Sequence, residues 1–303
     1  MHQALEPKYS AANRQQTALA LLSAIHAYLY DSYVDTIHVD HLLAYRDYVK
    51  QPARTALDRV LKPHLQLDDT EMDDLTGTKY LRMCQWAKAQ EWLSKVPLSY
   101  YNEKGYAVYA ANRSFTVEPW IRRQWLKEDM EWSGEKQNLK SNPKIDFARE
   151  LQTMERDLQR LSGTARQQKC YDMAVRYAQA DQTGDCWFIL HDGKTSYLEI
   201  GKADTDMRAK AVSLLQQASQ TTDRQLKERS LFALAYYYLN DDPWYEQKWN
   251  SQTASYQRVV NRSSQHFKAW KTLVDFEQAN PSAISSYVSR CDEYKQFRKY
   301  YRP

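Results

Sequence analysis

Two histidines three residues apart, His38 and His41 in "HVDH", are the first residues whose types suggest chemistry. On a helix they share a face and can both turn toward a metal ion, with His26 and Asp40 near in sequence. A zinc site needs three or four ligands. A zinc protease needs His-Glu-x-x-His, with the histidines four apart and a Glu base between them. This chain has neither that spacing nor that Glu. The pair reads as two ordinary, partly buried histidines, and no metal or other cofactor is expected.

Four further constellations fail on similar grounds. "HDGKTS" contains Gly193, Lys194 and Thr195, the tail of a phosphate-binding loop, but Phe188 stands where the motif needs its first Gly. The preceding "DCWFIL" reads as helix rather than the required strand. His191–Asp192 alone is too short to mark a metal phosphohydrolase. The acidic run "DDTEMDD" offers paired carboxylates of the kind that hydrolyse glycosides. At the start of a helix such residues serve as caps and a solvated face. Cys84, Cys170, Cys186 and Cys291 form no CxxC pair, lie in helix-like runs and read as small buried residues. No catalytic residues are assigned, and the chain is not expected to be an enzyme.

The aromatic clusters carry the binding expectation. Trp120 and Trp125, and then Trp244, Tyr245 and Trp249, fall where helical periodicity lapses. Arg122, Arg123 and Lys127 flank the first cluster. Aromatic faces beside cations can grip an extended peptide or stack on a sugar. The competing reading is that these tryptophans plug the ends of helix pairs.

The elements that must position these residues are helices. Only 7 of 303 residues are Gly, well below the usual share of roughly 7%, which argues against nucleotide-binding α/β folds and β-barrels. Ala, Leu, Gln, Lys, Arg and Glu are abundant, and 23 Tyr and 9 Trp are available to fill gaps between packed helices. Ala18, Leu22, Ile25 and Leu29 lie on one helical face, and a second helix runs through "TIHVDHLLAYRDYVK" to Pro52. Short helices follow to Pro63 and from the acidic run onward. The pattern loosens between Pro97 and Pro143, with a helix, an irregular connection, a second helix and a polar linker. Pro143 suits a first helical position, capped by Asn142 or Ser141. Helical period then continues to the C-terminus, where Pro281 after Asn280 starts a last helix with Ile284, Tyr287, Cys291 and Tyr294 along one side. No convincing strand is visible; "AVYAA" and "FTVE" are weak candidates.

Within this run, "GTKYLRMCQWAKAQEWLSKVP" has a particular spacing. Gly77 precedes Tyr80 by three, Ala89 follows by nine and Leu93 by four, with Pro97 as the stop. Ala174, Tyr177, Cys186 and Leu190 repeat the same intervals, and Ala235 with Tyr238 begins a third frame before an apparent insertion, "NDDPWYEQKW". The pattern resembles the tetratricopeptide repeat (TPR), whose first helix carries Leu-Gly-x-x-Tyr and whose second carries Ala-x-x-x-Phe. Departures are visible. Thr76 separates Leu75 from Gly77, and the frames do not recur at a steady 34-residue period. The expected fold is all-α, an irregular TPR-like superhelix. Residues 1–140 hold N-terminal repeats, including one unit at 70–97, and residues 141–303 continue the same solenoid. The eight frame residues are then packing residues.

"GTKYLRMCQWAKAQEWLSKV", "GDCWFIL" and "SRCDEYKQF" together also resemble the terminal region of long bacterial helical-repeat proteins. That resemblance spans about residues 70 to 300 and implies a cell-envelope location, though "MHQALEPKYS" lacks the order of a signal peptide. A cytoplasmic location is the alternative. A TPR-like resemblance implies a non-catalytic module that binds another protein or peptide; an envelope protein capturing peptides or glycans through its Trp-rich insertions is the second reading. A net charge of +4 from 42 basic and 38 acidic residues gives no reason to expect a nucleic-acid partner. No apolar run reaches the roughly 20 residues that span a bilayer.

Overall fold

Many of the helices start where the sequence supplies an acceptor ahead of an apolar run. His38 accepts the Asp40 N–H at 3.2 Å and opens α1, Val39–Lys50. Thr55 and Asp58 form a reciprocal capping box on α2, Ala56–Leu61, which runs into a 3-10 turn, Lys62–His64. Asp68 accepts the N–H groups of Thr70 and Glu71 and opens α3, Asp69–Arg82. α4, Trp86–Leu93, and α5, Leu98–Glu103, follow closely. Asn142 accepts the N–H groups of Lys144 and Ile145 ahead of α6, Pro143–Arg160, with Pro143 at its first position. Next come α7, Gly163–Ala180, and α8, Met207–Ala218. α9, Arg224–Tyr238, is capped by Asp223, and α10, Gln265–Ala279, by Ser264. α11, Ser286–Arg290, and α12, Asp292–Tyr300, close the chain.

This computed structural model describes residues 37–65, 68–103, 113–120, 138–191, 204–239, 242–281 and 285–301. The protein is mostly helical, and none of the described helices is long and apolar enough to cross a membrane. The chain divides into two compact units. The first draws on Met1–Phe115, Trp125–Thr153 and Gln179–Met207; the second draws on Thr116–Gln124, Met154–Ala178 and Arg208–Pro303. The expected helix around Ala18–Leu29 lies outside the described residues, as do "AVYAA" and Lys127.

In the first unit, α3 packs against both α1 and α4. Leu42, Tyr45 and Tyr48 of α1 meet Met72 and Leu75 of α3 in one apolar cluster. Gly77 sits where α4 crosses: a Cβ there would lie 2.5 Å from Leu93 Cγ and 2.7 Å from Cδ2. Glycine is thus required by the close approach of the two helices. α3 ends in paired reverse bonds, Gln85 N–H to Tyr80 C=O and Cys84 N–H to Leu81 C=O, each 2.9 Å. Cys84 takes the left-handed position that usually falls to glycine, with φ of 56°.

The acidic run on α3 differs from the solvated face expected of it. Asp68 is a cap, but Asp73 and Asp74 are buried. Because α3 is covered by neighbours along most of its length, its carboxylates must meet cations inside. Asp73 pairs with Arg46 at 2.5 Å. Asp74 accepts two bonds from Lys144 Nζ, at 2.8 and 2.9 Å, and one from the Tyr101 hydroxyl at 2.6 Å. Lys144 gives its third proton to Thr78 Oγ1 at 2.8 Å, and Asn142 donates to the Tyr101 hydroxyl at 3.1 Å. Burial drives the Tyr101 hydroxyl far above its ordinary pKa, with the Asp74 carboxylate adding to the effect.

The second unit corrects the strand reading. Tyr245–Asn250 (β1) and Ser255–Val260 (β2) form an antiparallel hairpin, and "FTVE" forms turns instead. The hairpin occupies the insertion between α9 and α10, which pack against each other. Its alternation of types, Tyr245, Gln247, Trp249 against Tyr256, Arg258, Val260, is a period-2 pattern hidden by polar residues and a loop without Gly. "DCWFIL" is likewise a 3-10 turn, Trp187–Ile189, rather than an α-helix. Cys186 through Leu190 are all buried, so the segment has no solvent face to give it helical amphipathy. The last stretch is also not one helix: Cys291 is extended, with ψ of 114°, and divides α11 from α12. Asn280 ends α10 by donating to the Phe276 C=O at 2.9 Å, instead of starting a helix with Pro281. Of the cysteines, Cys170 alone sits within a described helix.

Candidate functional site

The residues expected to bind separate sharply by burial. Trp120 is in the core of the second unit. Its indole N–H donates to the Tyr171 hydroxyl at 2.8 Å, and its ring lies 5.7 Å from Tyr171 and 6.3 Å from Tyr237. Arg229 lies over the Tyr171 ring at 4.7 Å and pairs with Glu118. Burial raises the Tyr171 hydroxyl well above its ordinary pKa. Arg122, Arg123 and Trp125 lie outside the described residues. Trp120 therefore acts as filler, the role its irregular setting argued against.

Trp244 is fully buried. Its ring packs edge-on to Phe297 of α12 at 5.5 Å and beside Tyr300 at 5.5 Å, and its N–H reaches Glu293 at 3.3 Å. It anchors the start of the hairpin. Tyr245 is half-buried beneath the Arg258 guanidinium, 4.4 Å above its ring, and Arg258 donates to Gln296 of α12. The base of the ribbon is therefore fixed to α12.

The tip is open. Trp249 is 57% exposed and its cross-strand partner Tyr256 is 67% exposed. Their rings meet at 5.2 Å with a 69° interplanar angle. Such edge-to-face pairing stabilises a ribbon by about 0.5–1.5 kcal/mol and leaves ring faces available. The loop beneath is tied down locally. Asn250 accepts the Gln252 N–H at 2.9 Å, Thr253 and Ser255 hydroxyls are 2.9 Å apart, and Ala254 takes a left-handed φ of 47°. Val259, 42% exposed, lies on the opposite face across from Glu246. Tyr256 and Arg258 belong to this site and escaped sequence reasoning; the signal was their register opposite Trp249 and Gln247 once "SYQRVV" is read as a strand.

The frame residues are interior. Gly77, Tyr80, Ala89 and Leu93 are buried at the α3–α4 crossing, and Trp86 of α4 meets Phe147 of α6 edge-on at 6.2 Å. Ala174 and Tyr177 are buried on α7. Cys186 and Leu190 flank the 3-10 turn, so the shared intervals are not carried by a second α-helix there. Among the described residues, no group of three His, Cys, Asp or Glu side chains is placed to hold a metal ion. His38 serves as the α1 cap, with His41 6.3 Å away, ring to ring.

Buried polar groups cluster again in the second unit. Glu228 accepts the Ser285 N–H at 2.9 Å and its hydroxyl at 2.5 Å. Glu277 accepts from the Tyr294 hydroxyl and from Arg298 at 3.4 Å, and burial raises its pKa. His266 is fully buried beside Trp270, with ring centroids 5.5 Å apart, and neither ring nitrogen has a hydrogen-bond partner. Desolvation holds its pKa down to about 4. Compared with known protein families, curated proteins and solved structures, the chain matches none.

Proposed function

We propose that the protein is a non-catalytic interaction module, built of TPR-like helix pairs, that holds another protein or peptide through the tip of its hairpin. The observation that carries this reading is the exposed Trp249–Tyr256 pair on a ribbon whose base is locked by Trp244 and Arg258. Tryptophan and tyrosine are enriched among the residues that dominate binding energy, and a fixed base lowers the entropy lost on docking. Among the described residues each strand has only the other as neighbour, so an extended peptide can add to an open edge beside the aromatic pair. The Gly77–Leu93 crossing supports the TPR-like part of the reading, since small-against-large nesting is what that repeat requires. An envelope location follows only from the sequence resemblance; cell fractionation tests it.

The test is a pull-down with the wild-type chain and a Trp249→Ala/Tyr256→Ala variant. A stoichiometric protein partner lost from the variant is the expected result. Glycan arrays run in parallel address the second reading: a glycan bound by the wild type, with no protein partner, replaces the proposal. Binding of a partner that survives the double substitution removes the hairpin from the site.

A further inference from the structure

We infer that the hairpin carries an acid-operated release, with the buried ring of His266 as its trigger. His266 is the second residue of α10, fully buried, with both ring nitrogens unpartnered. An imidazolium would bring two N–H donors into a place with no acceptor for either. It would also put a positive charge at the positive end of the helix dipole.

That place is bonded directly to the base of the hairpin. The Asp242 carboxylate accepts the Gln265 N–H at 2.6 Å, and the Asp242 C=O accepts the His266 N–H at 3.3 Å. The Asn261 N–H donates to the Trp244 C=O at 2.8 Å and closes the ribbon just outside the first strand pair, Tyr245 with Val260. Charged groups on the surrounding elements include Asp242 before β1, Arg262 after β2, Glu228 and Arg229 on α9, Glu293 and Arg298 on α12, and the buried Glu277 on α10 itself. Of these, Asp242 is the one whose field acts on the imidazole, and it favours the proton. Its carboxylate already serves the α10 N-terminus. If Asp242 turns to an imidazolium, it uncaps Gln265; if the ring leaves the core, it takes the α10 first turn with it. Either route breaks the tie between α10 and the segment that enters β1.

The acid response is a property of the unit alone; its use in releasing a partner rests on the function proposed above. Amide hydrogen-exchange protection of β1, β2 and the first turn of α10, measured without any partner, tests it separately. Protection factors of the wild type should fall at least tenfold between pH 7 and pH 4.5, while those of α3 and α4 hold. His266→Phe should abolish the drop. An equal drop in His266→Phe, or none in the wild type, overturns the inference. Should that variant fail to fold, the His266 ring proton titration by NMR in the wild type decides: titration near the ordinary histidine value overturns it, and a neutral ring down to pH 5 supports it.

Discussion

Gly77→Ala separates a packing glycine from a tolerated one by the sign of its effect. In a free helical position the change stabilises by about 0.8–1 kcal/mol, the helix-propensity difference. Here the new methyl would stand 2.5 Å from Leu93 Cγ, 2.7 Å from Cδ2 and 3.2 Å from the Leu93 backbone N. Carbon atoms prefer about 3.5–4.0 Å, so roughly 1 Å must be made up. The atom that must move is a branch point rather than a flexible tip, and Leu93 is fully buried. Overpacking of this kind costs up to about 3 kcal/mol, which leaves a net loss of about 2 kcal/mol after the propensity gain. Leu93→Ala alone should cost about 2–5 kcal/mol through the cavity it leaves. In the double variant the methyl added at position 77 occupies part of that cavity, so the two losses should fall short of additivity by about 2 kcal/mol. Urea titration read through hydrogen exchange of α3 and α4 amides isolates the first unit from the second. A Gly77→Ala protein stabilised by about 1 kcal/mol, or a cycle additive within about 0.5 kcal/mol, refutes the reasoning.

Three further outcomes are expected. Lys144→Met strands the buried Asp74 carboxylate and should destabilise by about 3–5 kcal/mol in urea melts, with much of the loss recovered in Asp74→Asn/Lys144→Met; a loss below about 1 kcal/mol would make the pair no more than a surface bridge. Trp244→Ala should cost about 3–5 kcal/mol, whereas Trp249→Ala, on an exposed side chain, should lose no more than its ring pairing with Tyr256, about 0.5–1.5 kcal/mol; equal costs would contradict the burial difference. Because the folded pKa of His266 lies at about 4, below the ordinary 6.5, the unfolded chain alone takes the proton between those values. Stability contributed by neutral burial is therefore intact above pH 6.5 and falls as pH drops toward 4, by about 3 kcal/mol, and chemical denaturation at pH 7 and pH 4.5 with His266→Phe as reference checks it.

Several helices were readable because two signals agree, an apolar period and a cap: Asp68 before α3, Asn142 with Pro143 before α6, Ser264 before α10. The hairpin was not readable, because its usual signal is a Gly or Asn-Gly turn and Ala254 takes the left-handed position instead. The buried Asp74–Lys144 pair was hidden for a different reason. Its members lie 70 residues apart, and an acid in a first or second helical turn looks the same whether solvent or a lysine faces it.

The binding residues show where sequence reasoning stops and geometry takes over. Trp244 and Trp249 are five residues apart in one irregular segment, and type and context treat them alike. Tyr245, Gln247 and Trp249 share one face of β1, so alternation does not separate the half-buried Tyr245 from the exposed Trp249. What does is the covering element. α12 supplies Phe297 to Trp244 and Gln296 to Arg258, beside Tyr245. Trp249 is four residues beyond Tyr245, about 13 Å along a strand, and there the same face is open to solvent. The ribbon outruns the helix that covers its base. An aromatic pair left at that distance gains little for the fold it belongs to, and Trp249→Ala is for that reason the substitution that divides binding from stability.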